Sequence, residues 1–257
     1  IFYLAAAVVF SRLPDVGGRQ RVALLSRLRR LAVELAEGVR TAATVPAIRW
    51  PLCAVAAHRL LLGAGFVVVV LIADSRYHLR ISGYGAVLAT TGLAAFAGTL
   101  AAPPLARRYR PGALVPAAFL PAAAAAYVGG LFPSLIVLVC CVGLVAFAFQ
   151  VLKISVDALV GGTAPDAVRG RVFAIYDVLY NVAFVVAGLA MVPLWRMGTE
   201  RLLLWLVSAG FISGWALMGM AMLGWRRRRV PTERRILGYA AALTAGALPA
   251  LAFPAPS

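Results

Sequence analysis

The chain contains six long apolar runs of about 20 residues each, and these runs constrain its fold more than any other feature. They cover residues 50–73, 84–106, 112–131, 134–159, 171–195 and 201–224. A helix of about 20 apolar residues crosses the ~30 Å hydrocarbon core of a bilayer. The runs lack the alternating polarity of transmembrane β-strands. We therefore predict an all-α fold, a polytopic transmembrane helix bundle with six full spans.

The composition supports a lipid environment. Hydrophobic residues make up 63% of the 257 residues, against about 45–50% in a typical soluble domain. No stretch outside the runs is long enough to form a soluble core of its own. The net charge of +16 would suggest nucleic acid in a soluble protein. Here the basic residues stand between the apolar runs, so we expect the lipid bilayer as partner and no nucleic acid.

The basic residues also predict an orientation. Of the 25 Lys and Arg residues, 19 fall in segments 11–49, 107–111, 160–171 and 225–235, and four fall in 74–83 and 195–201. Cytoplasmic segments of membrane proteins are enriched in Lys and Arg. We therefore predict that the first four segments are cytoplasmic.

Both ends of the chain differ from the central bundle, which we place at 50–225. Residues 1–10 are apolar but too short to span, so we interpret them as the end of a truncated transmembrane helix. Segment 11–49 is predicted to be a cytoplasmic linker, with an amphipathic helix over about 20–42. Residues 226–257 form a basic segment and an apolar tail, for which an extra span and an interfacial segment both stay open.

Ionisable residues inside an apolar run are costly and therefore point to function. His58 and Arg59 lie in the first run, near its predicted cytoplasmic end. Arg59 is a candidate for binding an anionic substrate or pairing with a carboxylate, and the alternative is an arginine that extends to the membrane surface. His58 is a candidate proton carrier.

A second group stands near the end of the fourth run. Gln150, Lys153 and Asp157 are spaced by three and four residues, so they share one helix face. Because a charged face is disfavoured in lipid, we expect it to point into the bundle or into a water-filled cavity.

A third group begins the fifth run. Asp177 and Asn181 are four residues apart, as are Tyr176 and Tyr180. A carboxylate, an amide and two tyrosines together suit a cavity for an amphipathic organic molecule. The alternative is that these residues form helix-packing hydrogen bonds. We predict that Asp177 carries a proton or closes a gate by pairing with Lys153 or Arg59.

Signals for an enzyme are missing from the sequence. There is no phosphate-binding Gly-Lys-Ser/Thr loop, no Gly-x-Ser-x-Gly motif and no metal-ligand spacing. The three cysteines, Cys53, Cys140 and Cys141, all fall in apolar runs. We therefore expect no enzyme activity, no cofactor and no metal site.

A resemblance to a known family rests on the stretch from Lys153 to Asn181, with Pro165-Asp166 and Arg169-Gly170-Arg171-Val172-Phe173 at its centre. This stretch resembles the tenth helix, loop and eleventh helix of bacterial major facilitator superfamily exporters of the drug and siderophore type. The resemblance implies a C-terminal six-helix half in the bacterial cytoplasmic (inner) membrane, with the N-terminal half missing.

The function that the resemblance implies is secondary active transport by alternating access. We expect proton-coupled efflux, by antiport, of a small-molecule substrate. The alternative is a non-transporting receptor or scaffold, or a half-subunit that needs a partner chain.

Overall fold

A computed structural model describes residues 36, 38–40, 42–164 and 166–227. This part of the chain is helical and contains no strand. The helices after residue 45 are α1 (Pro46–Ser75), α2 (Ile81–Arg108), α3 (Pro111–Ala117), α4 (Phe119–Leu131), α5 (Leu135–Thr163), α6 (Asp166–Met197) and α7 (Glu200–Arg227). The predictions for 1–10, for most of the linker 11–49 and for the tail beyond 227 fall outside the described residues.

Within that part, six helical segments are long and apolar enough to cross a membrane, with α3 and α4 together forming one of them. Each corresponds to one of the predicted apolar runs. Connections of two to five residues, such as 109–110 and 76–80, join successive spans. Neighbouring spans therefore run in opposite directions, and the predicted all-α polytopic bundle is confirmed.

The third apolar run differs from the prediction because it is not one continuous helix. It breaks at Ala118, which ends α3 and precedes α4. Proline has no N–H to donate to the carbonyl four residues earlier, and its ring crowds that carbonyl. Pro121 therefore cannot donate a hydrogen bond to the carbonyl of Ala117, and Pro116 is the residue just before Ala117. The break follows from the two prolines.

Helix α1 is central in the bundle and packs against α5, α6 and α7. Helix α2 packs mainly against α5, and α4 packs against α7 and α5. The large side chains that are fully enclosed in the core include Ile48, Leu152, Phe119 and Phe211. Burial of these groups positions the inner faces of α1, α5 and α6, which carry the polar residues described below.

More of the described basic residues lie at one end of the bundle than at the other. Arg49, Arg108, Arg110 and Arg169 lie at or next to helix ends on one side, which we call the basic end.

At the opposite end, the Tyr77 hydroxyl donates to the carbonyl of Pro133 over 2.9 Å. That bond ties the connection before α2 to the connection before α5.

Two spans keep a large exposed face. Helices α2 and α6 are the least buried of the six spans. On α6, four exposed apolar side chains recur at spacings of four, three and four residues, namely Val178, Val182, Val185 and Leu189. This stripe, the α6 stripe, follows one side of the helix along about 16 Å at 1.5 Å per residue.

Candidate functional site

An ion pair within α5 forms the first part of the site. The Nζ atom of Lys153 lies 2.9 Å from Oδ2 of Asp157. About a third of each side chain is exposed, 29% for Lys153 and 34% for Asp157. The pair lies about 9–15 Å from the end of α5 at Thr163, by the rise of a helix. The pair is therefore partly buried and lies about two to three turns inside the helix.

Helix α6 adds Tyr176 to this pair. The Lys153 ammonium lies 5.3 Å from the centroid of the Tyr176 ring, within the range of a cation–π contact. The tyrosine is 3% exposed. Its hydroxyl and the Oδ1 atom of Asp157 are both buried without a hydrogen-bond partner. The hydroxyl lies close enough to the Asp157 carboxylate to interact with it, so the two oxygens form one polar group beside Lys153.

Arg59 on α1 is enclosed by aromatic rings from two other helices. Its guanidinium carbon lies 4.3 Å from the Tyr180 centroid, 4.4 Å from Phe184 and 5.5 Å from Phe149. Its Nε atom is buried without a hydrogen-bond partner. Within the described residues, neither Asp157 nor Asp177 forms an ion pair with it. The rings stabilise the charge but leave the Nε–H donor unmatched.

His58, next to Arg59 in sequence, lies on another face of α1 and is fully buried. Its ring packs against Phe119, Phe149 and Phe211 at centroid distances of 4.9–5.5 Å. The Nε2 atom lies 3.4 Å from the carbonyl of Ala118, at the break between α3 and α4. The imidazole thus occupies a small aromatic core, about 18 Å from the start of α1.

Asp177 and Asn181 lie on the exposed side of α6. The Asn181 side-chain amide donates to the backbone carbonyl of Asp177 over 2.8 Å. The Asp177 carboxylate has no ion pair with a described residue. The structure therefore joins Lys153 to Asp157 and leaves the predicted gate pairs of Asp177 open in this conformation.

Gln150 is separate from the charged cluster. It is half-buried where α5 meets α2, and its Cβ lies 3.0 Å from the position that a Cβ on Gly98 would occupy. The structure thus brings together Arg59, Lys153, Asp157, Tyr176 and Tyr180 from three helices, while Gln150 and Asn181 lie beside them.

Phe149 was missed as a site residue, although its ring touches both Arg59 and Tyr180. It stands four residues before Lys153, so the helix-face argument could have included it. Among the described residues, no group of three His, Cys, Asp or Glu could hold a metal ion. The side chains brought together here offer charges, aromatic rings and hydrogen-bonding groups to a ligand.

Comparison with known proteins gives two relatives. The chain is 33% identical over 158 residues to a protein of Mycobacterium bovis and to one of Mycobacterium tuberculosis, each named as an uncharacterized MFS-type transporter. The match covers 58% of this chain and 34% of each relative. No protein-family model matches the chain. The similarity to these two proteins confirms the predicted resemblance to the major facilitator superfamily.

Proposed function

We propose that this relative of MFS-type transporters is half of a secondary active transporter that exports small organic molecules by alternating access, coupled to protons. The observation that carries the proposal is the convergence of Arg59, Lys153, Asp157 and Tyr176 from three spanning helices. Charged groups inside a membrane protein mark pathways for substrates or ions. The MFS-type relatives support transport as the general function.

The depth of the cluster agrees with an alternating-access site. Arg59 lies about 20 Å from the start of α1, and Tyr176 lies about 15 Å from the start of α6, by helical rise. Both residues therefore lie several turns inside their helices, between the basic end and the middle of the bundle. Transporters of this architecture bind substrate near the midplane, between two bundles that rock against each other.

A second six-helix bundle is part of the proposal. The exposed apolar face of α6 belongs to the same helix as Tyr176 and Tyr180 of the cluster. We propose that another bundle covers the faces of α2 and α6 and completes the substrate site. The chain's match to about a third of each relative is consistent with a longer working protein.

For proton coupling, Asp177 is the preferred carrier. Its side chain is exposed, faces away from the enclosed core and is not held by an ion pair among the described residues. A carboxylate in this situation can exchange protons with a water-filled cavity. His58 is fully buried among three phenylalanines, so it could exchange a proton only when that packing opens. The basic end is proposed to face the cytoplasm of a bacterial cell.

The proposal is tested with the full-length polypeptide in proteoliposomes under an imposed pH gradient. Flux of a panel of fluorescent dyes and small metabolites is followed for the natural protein and for Asp177→Asn and Lys153→Ala. Gradient-dependent flux that both substitutions reduce at least tenfold is the expected result.

Glu200→Gln is the matched control for these variants. Glu200 is an acidic residue at the opposite end of the bundle, where it lies 3.5 Å from Arg76. We expect this variant to transport as the natural protein does, because an exposed ion pair contributes little. Unchanged flux in both site variants would remove Asp177 and Lys153 from the mechanism.

A further inference from the structure

We propose that the substrate is an organic monoanion with a flat apolar part, and that Arg59 binds its anionic group. This inference rests on the proposed transport function and narrows its substrate class. It starts from the buried Nε–H donor of Arg59, which has no acceptor among the described residues.

The first step concerns hydrogen bonding. A guanidinium has five N–H donors in a planar fork and no acceptor. In the described part of the chain, Arg59 makes contact with rings but with no carboxylate, and its buried Nε has no acceptor. Leaving a charged donor buried and unmatched is costly. The missing acceptor is therefore expected to come from a molecule that the site binds.

The second step concerns charge. Lys153 and Asp157 neutralise each other through their 2.9 Å contact. Among these three residues Arg59 then leaves one positive charge in excess, while the Asp177 carboxylate lies on the exposed side of α6. Carboxylate and similar oxyanions match the guanidinium fork with two parallel hydrogen bonds. A monoanion therefore satisfies both the charge and the donors, whereas a cation would repel Arg59.

The third step concerns shape. The rings of Phe149, Tyr180 and Phe184 all lie within 5.5 Å of the guanidinium carbon. Aromatic side chains around one polar anchor suit a ligand with a flat apolar part attached to its anionic group.

The experiment uses three probes that share a naphthalene ring and differ in charge: 2-naphthoate, neutral 2-naphthamide and 2-naphthylmethylammonium. Binding of each is measured by calorimetry on the full-length polypeptide in lipid nanodiscs. We expect naphthoate to bind at least about tenfold more tightly than the other two probes, because one charge-assisted hydrogen bond contributes about that much affinity. Equal or tighter binding of the amide or the ammonium compound overturns the inference, as does absence of naphthoate binding.

Variants at Arg59 then test whether this residue causes the preference for the anionic probe. Arg59→Gln should weaken naphthoate binding about tenfold and leave naphthamide unchanged, and Arg59→Lys should retain more naphthoate affinity than Arg59→Gln. Arg76→Gln changes an exposed arginine just after α1. This control should change neither the affinity for naphthoate nor the affinity for naphthamide. Unchanged naphthoate affinity in Arg59→Gln overturns the inference. If Arg59→Gln does not fold, Arg59→Lys and the charge preference of the natural protein decide.

A flux measurement separates this inference from the transport proposal. If neutral or cationic probes show gradient-driven flux but naphthoate does not bind, the transport proposal stands and the anion-site inference is wrong. If naphthoate binding depends on Arg59 but no probe shows gradient-driven flux, the anion-site inference stands and the transport proposal is wrong.

Discussion

The ammonium of Lys153 lies 2.9 Å from the carboxylate of Asp157, one helical turn further along α5. Each side chain is about one-third exposed, so the pair is neither a surface pair nor a fully enclosed one. Removing one partner leaves the other charge without compensation inside the bundle, whereas removing both does not. This asymmetry leads to the first prediction.

We expect Lys153→Met and Asp157→Leu each to lower the free energy of unfolding by roughly 1–3 kcal/mol, and the double variant to recover most of that loss. Unfolding is followed by denaturant titration in nanodiscs. Transport should stay reduced in all three variants because the site has lost its polar groups. Additive losses in the double variant would show that the two side chains do not act as a pair.

Gly98 on α2 gives a prediction about packing. A Cβ at Gly98 would lie 2.7 Å from the carbonyl oxygen of Phe147 on α5, while a Cβ at Gly92 would meet nothing within 4 Å. We expect Gly98→Ala to lower the melting temperature by several degrees, because α2 and α5 must separate. Gly92→Ala on the same helix should raise it slightly, because alanine favours the helix. Similar shifts for both variants would contradict the close approach.

His58 provides a test that separates packing from proton transfer. We expect His58→Ala to lower the free energy of unfolding by roughly 2–4 kcal/mol, as for other large-to-small changes in a core. His78→Asn is the control, since His78 is exposed and has a positive φ of 45°, which asparagine tolerates. Its effect should be below about 0.5 kcal/mol.

His58→Gln keeps a donor for the carbonyl of Ala118 but cannot titrate near neutral pH. We expect gradient-driven flux to survive this change, because the buried ring contacts three phenylalanines rather than water. Loss of coupling in a folded His58→Gln protein would instead identify His58 as the proton carrier.

The α6 stripe predicts contact with a second bundle. Val182 on α6 and Leu206 on α7 are about equally exposed in this chain, at 50% and 53%. In the full-length polypeptide, we expect a fluorophore on Val182→Cys to be shielded from quenchers attached to lipid tails. A fluorophore on Leu206→Cys should be quenched. The native cysteines at 53, 140 and 141 are first replaced by alanine. Equal quenching at both positions would show that lipid, not protein, covers the α6 stripe.

The six spans could be predicted because their signal is local. Each span needs only about 20 apolar residues in a row, and the predicted runs agree with the helices to within a few residues at most ends. The break at Ala118 was missed, although Pro116 and Pro121 carry the signal for it. A run of apolar residues alone does not distinguish a straight helix from two shorter ones.

The site could be predicted only in part. The spacing of Lys153 and Asp157 places them on one face of a single helix, which is a local property. The aromatic rings around Arg59 come from α5 and α6, so their convergence depends on how three helices are rotated against each other. His58 and Arg59 are neighbours in sequence, but adjacent helical residues point about 100° apart. One therefore enters the core and the other enters the charged cluster.

The connections between spans have a mechanical consequence. Segments 76–80, 109–110, 132–134 and 198–199 contain five, two, three and two residues, and the Tyr77–Pro133 bond fastens two of them together. The connections of two or three residues leave little slack for the helices that they join to slide past each other by a full turn of 5.4 Å. In the proposed transport cycle, we therefore expect the spans to turn together, so that Arg59, its rings and the Lys153–Asp157 pair keep their relative positions.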